Sequence, residues 1–135
     1  MHAVSPAANW RPDGTVLKRK LCVAAGWALA SLIVWLSLTP SPPKIDLGID
    51  DGDKIEHFAA YGTLMLWFCL LYANRGTRIA YAALWIAMGI ALEFAQRATG
   101  YRNFEVFDMY ANAIGVLIGW AVSLAIPVGL AQKLR

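Results

Sequence analysis

The chain has 135 residues, of which 59% are hydrophobic and 16% are charged. This balance excludes a disordered chain and disfavours an ordinary soluble domain, so we expect a membrane protein. A helix that spans a bilayer needs about 20 mostly apolar residues, so four of them use about 80 residues and leave no room for a second folded domain. The net charge of +3 is small and scattered, and we expect no nucleic-acid partner.

The first predicted elements are a polar tail and a membrane span. Residues 1–20 are polar, contain two prolines and end in a basic cluster, which indicates a flexible cytoplasmic tail that meets a membrane surface. Residues 21–38 carry no charge and predict the first span, which ends at a proline-rich segment. We expect residues 21–135 as a whole to form one membrane domain.

Three further apolar runs predict three more spanning helices. The second helix covers residues 57–73, and the third covers residues 79–94 with a continuation to Thr99. The fourth helix covers residues 109–131, with a kink at Pro127. We therefore predict an all-α fold, a four-helix transmembrane bundle with short loops.

The distribution of basic residues predicts the orientation of this bundle. Eight of the 12 Lys and Arg residues lie in the N-terminal tail, in the turn between the second and third helices, and at the C-terminus. Because basic residues accumulate in cytoplasmic loops, we predict that the N- and C-termini are both cytoplasmic. Eight of the nine acidic residues then lie in the outward-facing loops or at the outer ends of the helices.

Polar residues follow one stripe at the start of the second helix. Asp53, His57 and Tyr61 are spaced i, i+4 and i+8. A carboxylate one turn from an imidazole can fix its tautomer, as a general base requires, and the same pair also serves as a helix cap or a hydrogen-bonded core histidine. Lys54 beside the stripe is either a solvated charge or an anchor for an anionic ligand.

The third helix carries a carboxylate at membrane depth. Glu93 and Gln96 are spaced i, i+3, and Gly89 lies one turn before Glu93 on the same face. An unpaired carboxylate at the bilayer centre costs about 2.5 to 3.5 kcal/mol on insertion scales, so Glu93 should face protein or water. It either takes part in a functional site or holds helices together.

The fourth helix continues the polar face toward the same boundary. Its polar and small residues lie on one side of the helix at Asp108, Asn112, Gly115 and Gly119. We interpret Gly89, Gly115 and Gly119 as helix-packing positions. Arg102 precedes the helix, and we expect it to form a charge-coupled cluster with Glu93 and Asp108.

The three helices are thus predicted to form one polar, outward-facing pocket. The candidate catalytic residues are His57, Asp53, Glu93 and Asp108. The candidate ligand-binding residues are Lys54, Tyr61, Gln96, Arg102 and Asn112. One histidine among unordered carboxylates is not a readable metal motif, so we predict no metal site, although carboxylates could hold a hard cation. The sequence indicates no particular cofactor and no oligomeric state.

Four short motifs follow one another in a fixed order along the chain. They are Asp53-Lys54-x-x-His57-Phe58-x-x-Tyr61, Glu93-x-x-Gln96, Arg102, and Asp108-x-x-x-Asn112-x-x-Gly115-x-x-x-Gly119. This set resembles the VanZ-like family of small bacterial integral membrane proteins. The resemblance begins at Thr39-Pro40 and implies a multi-pass protein of the bacterial cytoplasmic membrane. It also implies an association with resistance to the lipoglycopeptide teicoplanin, whereas most relatives have no established biochemical activity.

Three interpretations of function are open at this stage. The first is a protein whose pocket binds an outer-leaflet amphiphile, such as a lipid headgroup, a lipid-linked wall precursor or a lipoglycopeptide. The second is a membrane enzyme that hydrolyses a lipid-linked substrate or transfers a group on it, with His57 as base and Glu93 or Asp108 as acid or metal ligand. The third is a packing or assembly subunit. The first two predict membrane lipids or lipid-linked envelope molecules as partners.

The orientation is testable by cysteine labelling. In a background that lacks Cys22 and Cys69, a cysteine at Ile49 should react from outside with a thiol reagent that cannot cross the membrane, and one at Thr77 should not. Labelling is measured on intact cells and again after lysis. If the residue at 77 reacts and the residue at 49 does not, the orientation is inverted and the pocket faces the cytoplasm.

Overall fold

A computed structural model of the chain describes residues 14–43 and 52–127. Within these residues the structure is all-helical and has no strand. The four helices are α1 (Gly14–Leu38), α2 (Gly52–Leu71), α3 (Arg75–Thr99) and α4 (Val106–Ala125). The prediction of an all-α fold with four helices is confirmed. The first part of the predicted tail, the middle of the acidic loop that we predict over residues 40–56, and the end of the predicted fourth span lie outside the described residues.

Two helices begin earlier than the apolar runs that predicted them. α1 begins at Gly14, so residues 14–20, which we assigned to a flexible tail, are helical. α2 begins at Gly52 instead of residue 57. An uncharged run indicates only the part of a helix that contacts lipid. Lys, Arg and Glu are good helix formers, so the helix can extend beyond that run. In α2 the first turn also holds Asp53, whose carboxylate interacts favourably with the positive end of the helix dipole.

The boundaries of α3 and α4 follow local chemistry. Asn74 caps the start of α3, because its Oδ1 accepts a hydrogen bond of 3.1 Å from the backbone N–H of Thr77. Gly100 ends α3 in the left-handed conformation, at a φ of 76°. α4 ends at Ala125, because the residue before a proline avoids helical geometry. The predicted kink at Pro127 is therefore wrong, since that proline lies beyond the end of the helix.

The described helices differ in whether their length and composition suit a membrane span. By length and composition, α1, α3 and α4 are long and apolar enough to span a bilayer. α2 is equally apolar from its middle onward, but Asp53, Lys54 and Glu56 lie in its first turns. These charged residues belong to the polar end of the helix, where the candidate site lies.

The bundle has two chemically different ends. Its basic end consists of the start of α1 with Arg19, the end of α2, and the start of α3 with Arg75 and Arg78. There the Trp67 indole N–H donates a hydrogen bond of 2.9 Å to the carbonyl of Cys22. Its acidic end consists of the end of α1, the start of α2, the end of α3 and the start of α4.

Aromatic rings fill the half of the bundle nearer the basic end. Phe68 of α2 lies 4.4 Å from Tyr81 and 5.1 Å from Trp85 of α3, measured between ring centroids. Trp27 of α1 meets the Trp85 ring edge-on at 5.5 Å. Such ring pairs stabilise a core beyond their buried area. Among the described residues, every buried polar side chain except that of Ser123 lies in the other half.

α2 and α4 form the most extensive helix pair, and their backbones are in direct contact. A Cβ atom on Gly119 would overlap the carbonyl oxygen of Gly62, and one on Gly115 would overlap the carbonyl oxygen of Phe58. Small residues are what allow membrane helices to approach this closely. The contact fixes the rotation and register of the first half of α2 against α4.

This contact predicts a strong effect of a single methyl group. Gly119→Ala should lower the free energy of unfolding by about 1–3 kcal/mol, because the backbone of α2 must move away. Gly14→Ala is the matched control, since a Cβ atom there has no neighbour within 4 Å. Thermal unfolding in one detergent compares the two variants. Equal unfolding temperatures would show that the α2–α4 contact tolerates a side chain.

Candidate functional site

Side chains from the acidic end satisfy the last carbonyl groups of α1. The buried Gln96 of α3 donates a hydrogen bond of 2.9 Å from its Nε2 to the carbonyl of Ser37. The hydroxyl of Tyr101 donates a hydrogen bond of 2.8 Å to the carbonyl of Leu38. A helix end leaves such carbonyls without a partner in the helix, so these bonds tie α1 to α3 and to the loop that follows it.

His57 lies between two polar residues of α4. Its Nδ1 is 3.2 Å from Oδ1 of Asn112, and its Nε2 is 3.6 Å from Oδ2 of Asp108. One of our two interpretations of this stripe was that Asp53 orients the imidazole. Instead, Oδ1 of Asp53 accepts the backbone N–H of Lys54 at 3.0 Å. The close α2–α4 contact places the polar residues of α4 against the ring, whereas Asp53 lies one turn further out.

Glu93 is buried between α3 and α4, with only 1% of its surface exposed. Its Oε2 accepts a hydrogen bond of 3.1 Å from the backbone N–H of Glu105, the residue that precedes α4. One ligand atom from each of His57, Glu93 and Asp108 lies within 4.8 Å of the other two. Gly89 faces Asn112, and a Cβ atom on it would lie 2.9 Å from the Asn112 Nδ2.

The cations are arranged differently from our expectation. Among the described residues, Arg102 forms no ion pair with Glu93 or Asp108. The Glu93 carboxylate instead accepts the backbone N–H of Glu105 at the start of α4. Arg102 itself lies in the loop between α3 and α4. Lys54 takes the bridging position instead, with its Nζ 3.8 Å from Asp53 and 3.7 Å from Glu105. The predicted charge cluster of Arg102 with Glu93 and Asp108 is therefore wrong.

A polar cavity of about 400 Å³ opens at the acidic end. Its lining comes from α2, α3 and α4 and from the segments that follow α1 and α3, and consists of Pro40, Ser41, Pro42, Asp53, Glu56, His57, Gln96, Tyr101, Arg102, Asn103, Glu105 and Asp108. A smaller cavity of about 110 Å³ shares His57 and Arg102 with it and reaches Tyr61. The polar cavity therefore contains five of the nine catalytic and ligand-binding candidates named above, while Lys54, Glu93 and Asn112 lie behind or beside its wall.

An apolar groove of about 720 Å³ runs between α1 and α3. Its wall includes Trp27, Val34 and Trp35 of α1, and Leu84 and Met88 of α3. The groove ends at the proline that follows α1, and that same residue lines the polar cavity. A polar and an apolar compartment thus adjoin at one point.

Sequence reasoning missed two residues of this site, Tyr101 and Glu105. Tyr101 caps α1 across the loop, and no spacing rule links it to Leu38. Glu105 had a usable signal, because acidic residues are favoured near the positive end of a helix dipole and Glu105 directly precedes α4, although its side chain makes no cap hydrogen bond.

Comparison with known proteins covers nearly the whole described chain. The family model described as VanZ/LLP1 matches residues 24–127, which include every candidate residue of the site. An uncharacterized protein of Schizosaccharomyces pombe is 26% identical over 120 residues, which are 87% of this chain and 71% of the yeast protein. No solved structure matches the chain.

The cap on α1 predicts a measurable loss of stability. Gln96→Leu should lower the free energy of unfolding by about 1–3 kcal/mol, because it leaves the buried carbonyl of Ser37 without a donor. Asn103→Leu, the same type of change in the exposed loop, should alter it by less than about 0.5 kcal/mol. Unfolding in detergent is followed by circular dichroism. Equal stability of the two variants would show that the hydrogen bond from Gln96 to Ser37 does not stabilise the fold.

Proposed function

Because the chain belongs to the VanZ/LLP1 family and has three helices able to span a membrane, it is a membrane protein, and we propose that its polar cavity binds the headgroup of a membrane amphiphile. The observation that carries the proposal is the meeting of the polar cavity and the apolar groove at Pro40. A molecule with a polar head and an apolar tail needs two such compartments side by side. Ligand pockets are commonly apolar with a few placed polar groups.

The proposal includes the topology. α2 is taken as the fourth span, because it packs against α4 over most of its length and is apolar beyond its first turns. The basic end is placed in the cytoplasm together with both termini, and the acidic end with its cavity faces the outer leaflet. We keep the bacterial cytoplasmic membrane as the proposed location of this protein.

The charges in the cavity indicate the kind of headgroup. Arg102 lines both the polar cavity and the smaller cavity beside it, and its guanidinium suits a phosphate or carboxylate. Lys54, our other candidate anion anchor, is already engaged by Asp53 and Glu105. The cavity carboxylates can accept hydrogen bonds from hydroxyl or amino groups. We therefore favour an anionic headgroup that also carries such donors, as in lipid-linked wall precursors, phospholipids and lipoglycopeptides.

Copurifying lipids test this proposal. Protein extracted in mild detergent should retain a preferred amphiphile, and Arg102→Gln should retain several-fold less of it. Arg97→Gln is the matched control, because Arg97 belongs to the same end of the bundle but stacks on Phe104 outside the cavity. Bound lipids are quantified by mass spectrometry against total membrane lipid. Retention of the same lipids by both variants in equal amounts would contradict headgroup binding at this cavity.

A membrane enzyme is the second candidate, and the held position of His57 favours it. An imidazole fixed between Asn112 and Asp108 at a cavity wall has the arrangement of a general base. The same lipid extracts separate the two functions. An enzyme leaves a chemically altered lipid that His57→Asn abolishes, whereas a binder leaves the same molecules in altered amounts.

Resistance to teicoplanin-type antibiotics is a cellular consequence of binding that we also propose. A protein that engages a lipoglycopeptide or its lipid-linked target should protect cells that express it, and His57→Asn should fold but protect less. If parent and variant strains have the same susceptibility, bound lipids and lipid profile, the packing or assembly subunit becomes the better interpretation.

A further inference from the structure

Three neighbouring helices each contribute one metal-ligating side chain to a common point. His57 of α2, Glu93 of α3 and Asp108 of α4 offer a nitrogen and two carboxylate oxygens that lie within 4.8 Å of one another. We propose that these three residues bind one divalent transition-metal cation, with Zn²⁺ as the representative ion. This inference does not rest on the proposed function, because metal binding is measured without any amphiphile.

The hydrogen bond of His57 to Asn112 prepares the imidazole for this role. When Nδ1–H donates to Oδ1 of Asn112, the neutral ring presents the lone pair of Nε2 on its other side. That nitrogen is the one that faces Asp108, at 3.6 Å from its Oδ2. A metal-bound histidine usually donates its second ring N–H to a fixed acceptor in this way.

Unsatisfied buried oxygens are the second observation. Among the described residues, Oδ1 of Asp108 has no hydrogen-bond partner, although only 7% of this residue is exposed. Among the described residues, the hydroxyl of Tyr61, one helical turn after His57, is likewise buried without a partner. Buried polar atoms are normally paired, so an orphaned carboxylate oxygen beside two other ligands indicates a ligand that belongs there.

Charge balance points the same way. Glu93 and Asp108 are both buried and close to one another, and a neighbouring permanent cation, Lys54, pairs with Asp53 and Glu105. Two carboxylates in a low-dielectric site require compensation that one imidazole does not supply. A dication bound by both carboxylates makes the cluster neutral.

A second group of acids meets the same distance criterion but fits a transition metal less well. It consists of Asp53, Glu105 and Asp108, of which Asp53 and Glu105 are half-buried and Asp108 is shared with the first group. Lys54 lies within ion-pair distance of two of its members and so already supplies positive charge. It also lacks a nitrogen ligand, and imidazole is what favours zinc-like cations over magnesium or calcium.

The proposed cation is accessible from solvent. His57 and Asp108 also line the polar cavity, so an ion can enter there. Three protein ligands leave coordination positions for water or a ligand oxygen, as in zinc sites that are not purely structural. The cavity wall thus provides both the entry path and the space for a further ligand.

The test is metal binding to the purified full-length chain. The affinity tag is removed and His2, the other histidine, is replaced by Gln in every sample, so that neither contributes binding. After treatment with a chelator, Zn²⁺ binding is measured by calorimetry and elemental analysis, and the visible spectrum of bound Co²⁺ reports the ligand set. The parent should bind one ion per chain.

Two Glu→Gln substitutions, one at a proposed ligand and one beside it, locate the ion. Glu93→Gln should weaken Zn²⁺ binding by roughly 10-fold or more, because even an outer partner of a metal ligand contributes about 10–100-fold. Glu105→Gln should weaken it by less than about 3-fold, since its backbone N–H and not its carboxylate contacts Glu93. His57→Gln provides a second ligand variant if Glu93→Gln does not fold. Circular dichroism monitors the fold of each sample.

The opposite outcomes overturn the proposal. Absence of stoichiometric Zn²⁺ binding by the folded parent would do so directly. Equal affinities of the Glu93→Gln and Glu105→Gln variants, or a larger loss in the latter, would place any bound ion elsewhere. Unchanged affinity and an unchanged Co²⁺ spectrum in His57→Gln would exclude the imidazole as a ligand. None of these results alters the lipid-retention experiment, which is scored on Arg102.

Discussion

The direct backbone contact between α2 and α4 is the constraint on which the site depends. With no side chain at Gly115 and Gly119, α4 lies against the carbonyl oxygens of Phe58 and Gly62. This leaves little freedom for α2 to rotate or slide, and residues at the start of α2 face fixed positions of α4. His57 precedes Phe58 directly and therefore meets Asp108 and Asn112. A packing requirement in the apolar core thus determines the polar geometry next to it.

The features that depend on local pattern were predictable from the sequence. Apolar runs located all four helices, because a helix in a membrane needs a long apolar surface to contact lipid or the other helices. The stripes at Asp53, His57 and Tyr61, and at Asp108 and Asn112, followed from helical periodicity alone. The helix ends were less predictable, since charged residues at a membrane boundary can continue a helix as well as end it.

The features that depend on tertiary pairing were not predictable in the same way. Spacing suggested that Asp53 would orient His57, because the two lie one turn apart. The partners of the ring come instead from α4, where Asn112 is 55 residues away from His57 in the sequence. We expected Arg102 to pair with Glu93 and Asp108, because nothing in the sequence reveals that the Glu93 carboxylate accepts a backbone N–H. The convergence of His57, Glu93 and Asp108 likewise required the relative rotation of three helices.

The capping of α1 has a consequence for how the molecule is made. The donors to its last carbonyls, Gln96 and Tyr101, occur 59 and 63 residues after their acceptors. While the chain is being synthesised, the carbonyls of Ser37 and Leu38 lack these donors until α3 and the loop beyond it have been produced. Since carbonyl groups without partners are not tolerated in hydrocarbon, this end of α1 must stay at a hydrated interface during that interval. The same two donors, Gln96 and Tyr101, also line the polar cavity, so the residues that complete the end of α1 build part of the cavity wall at the same time.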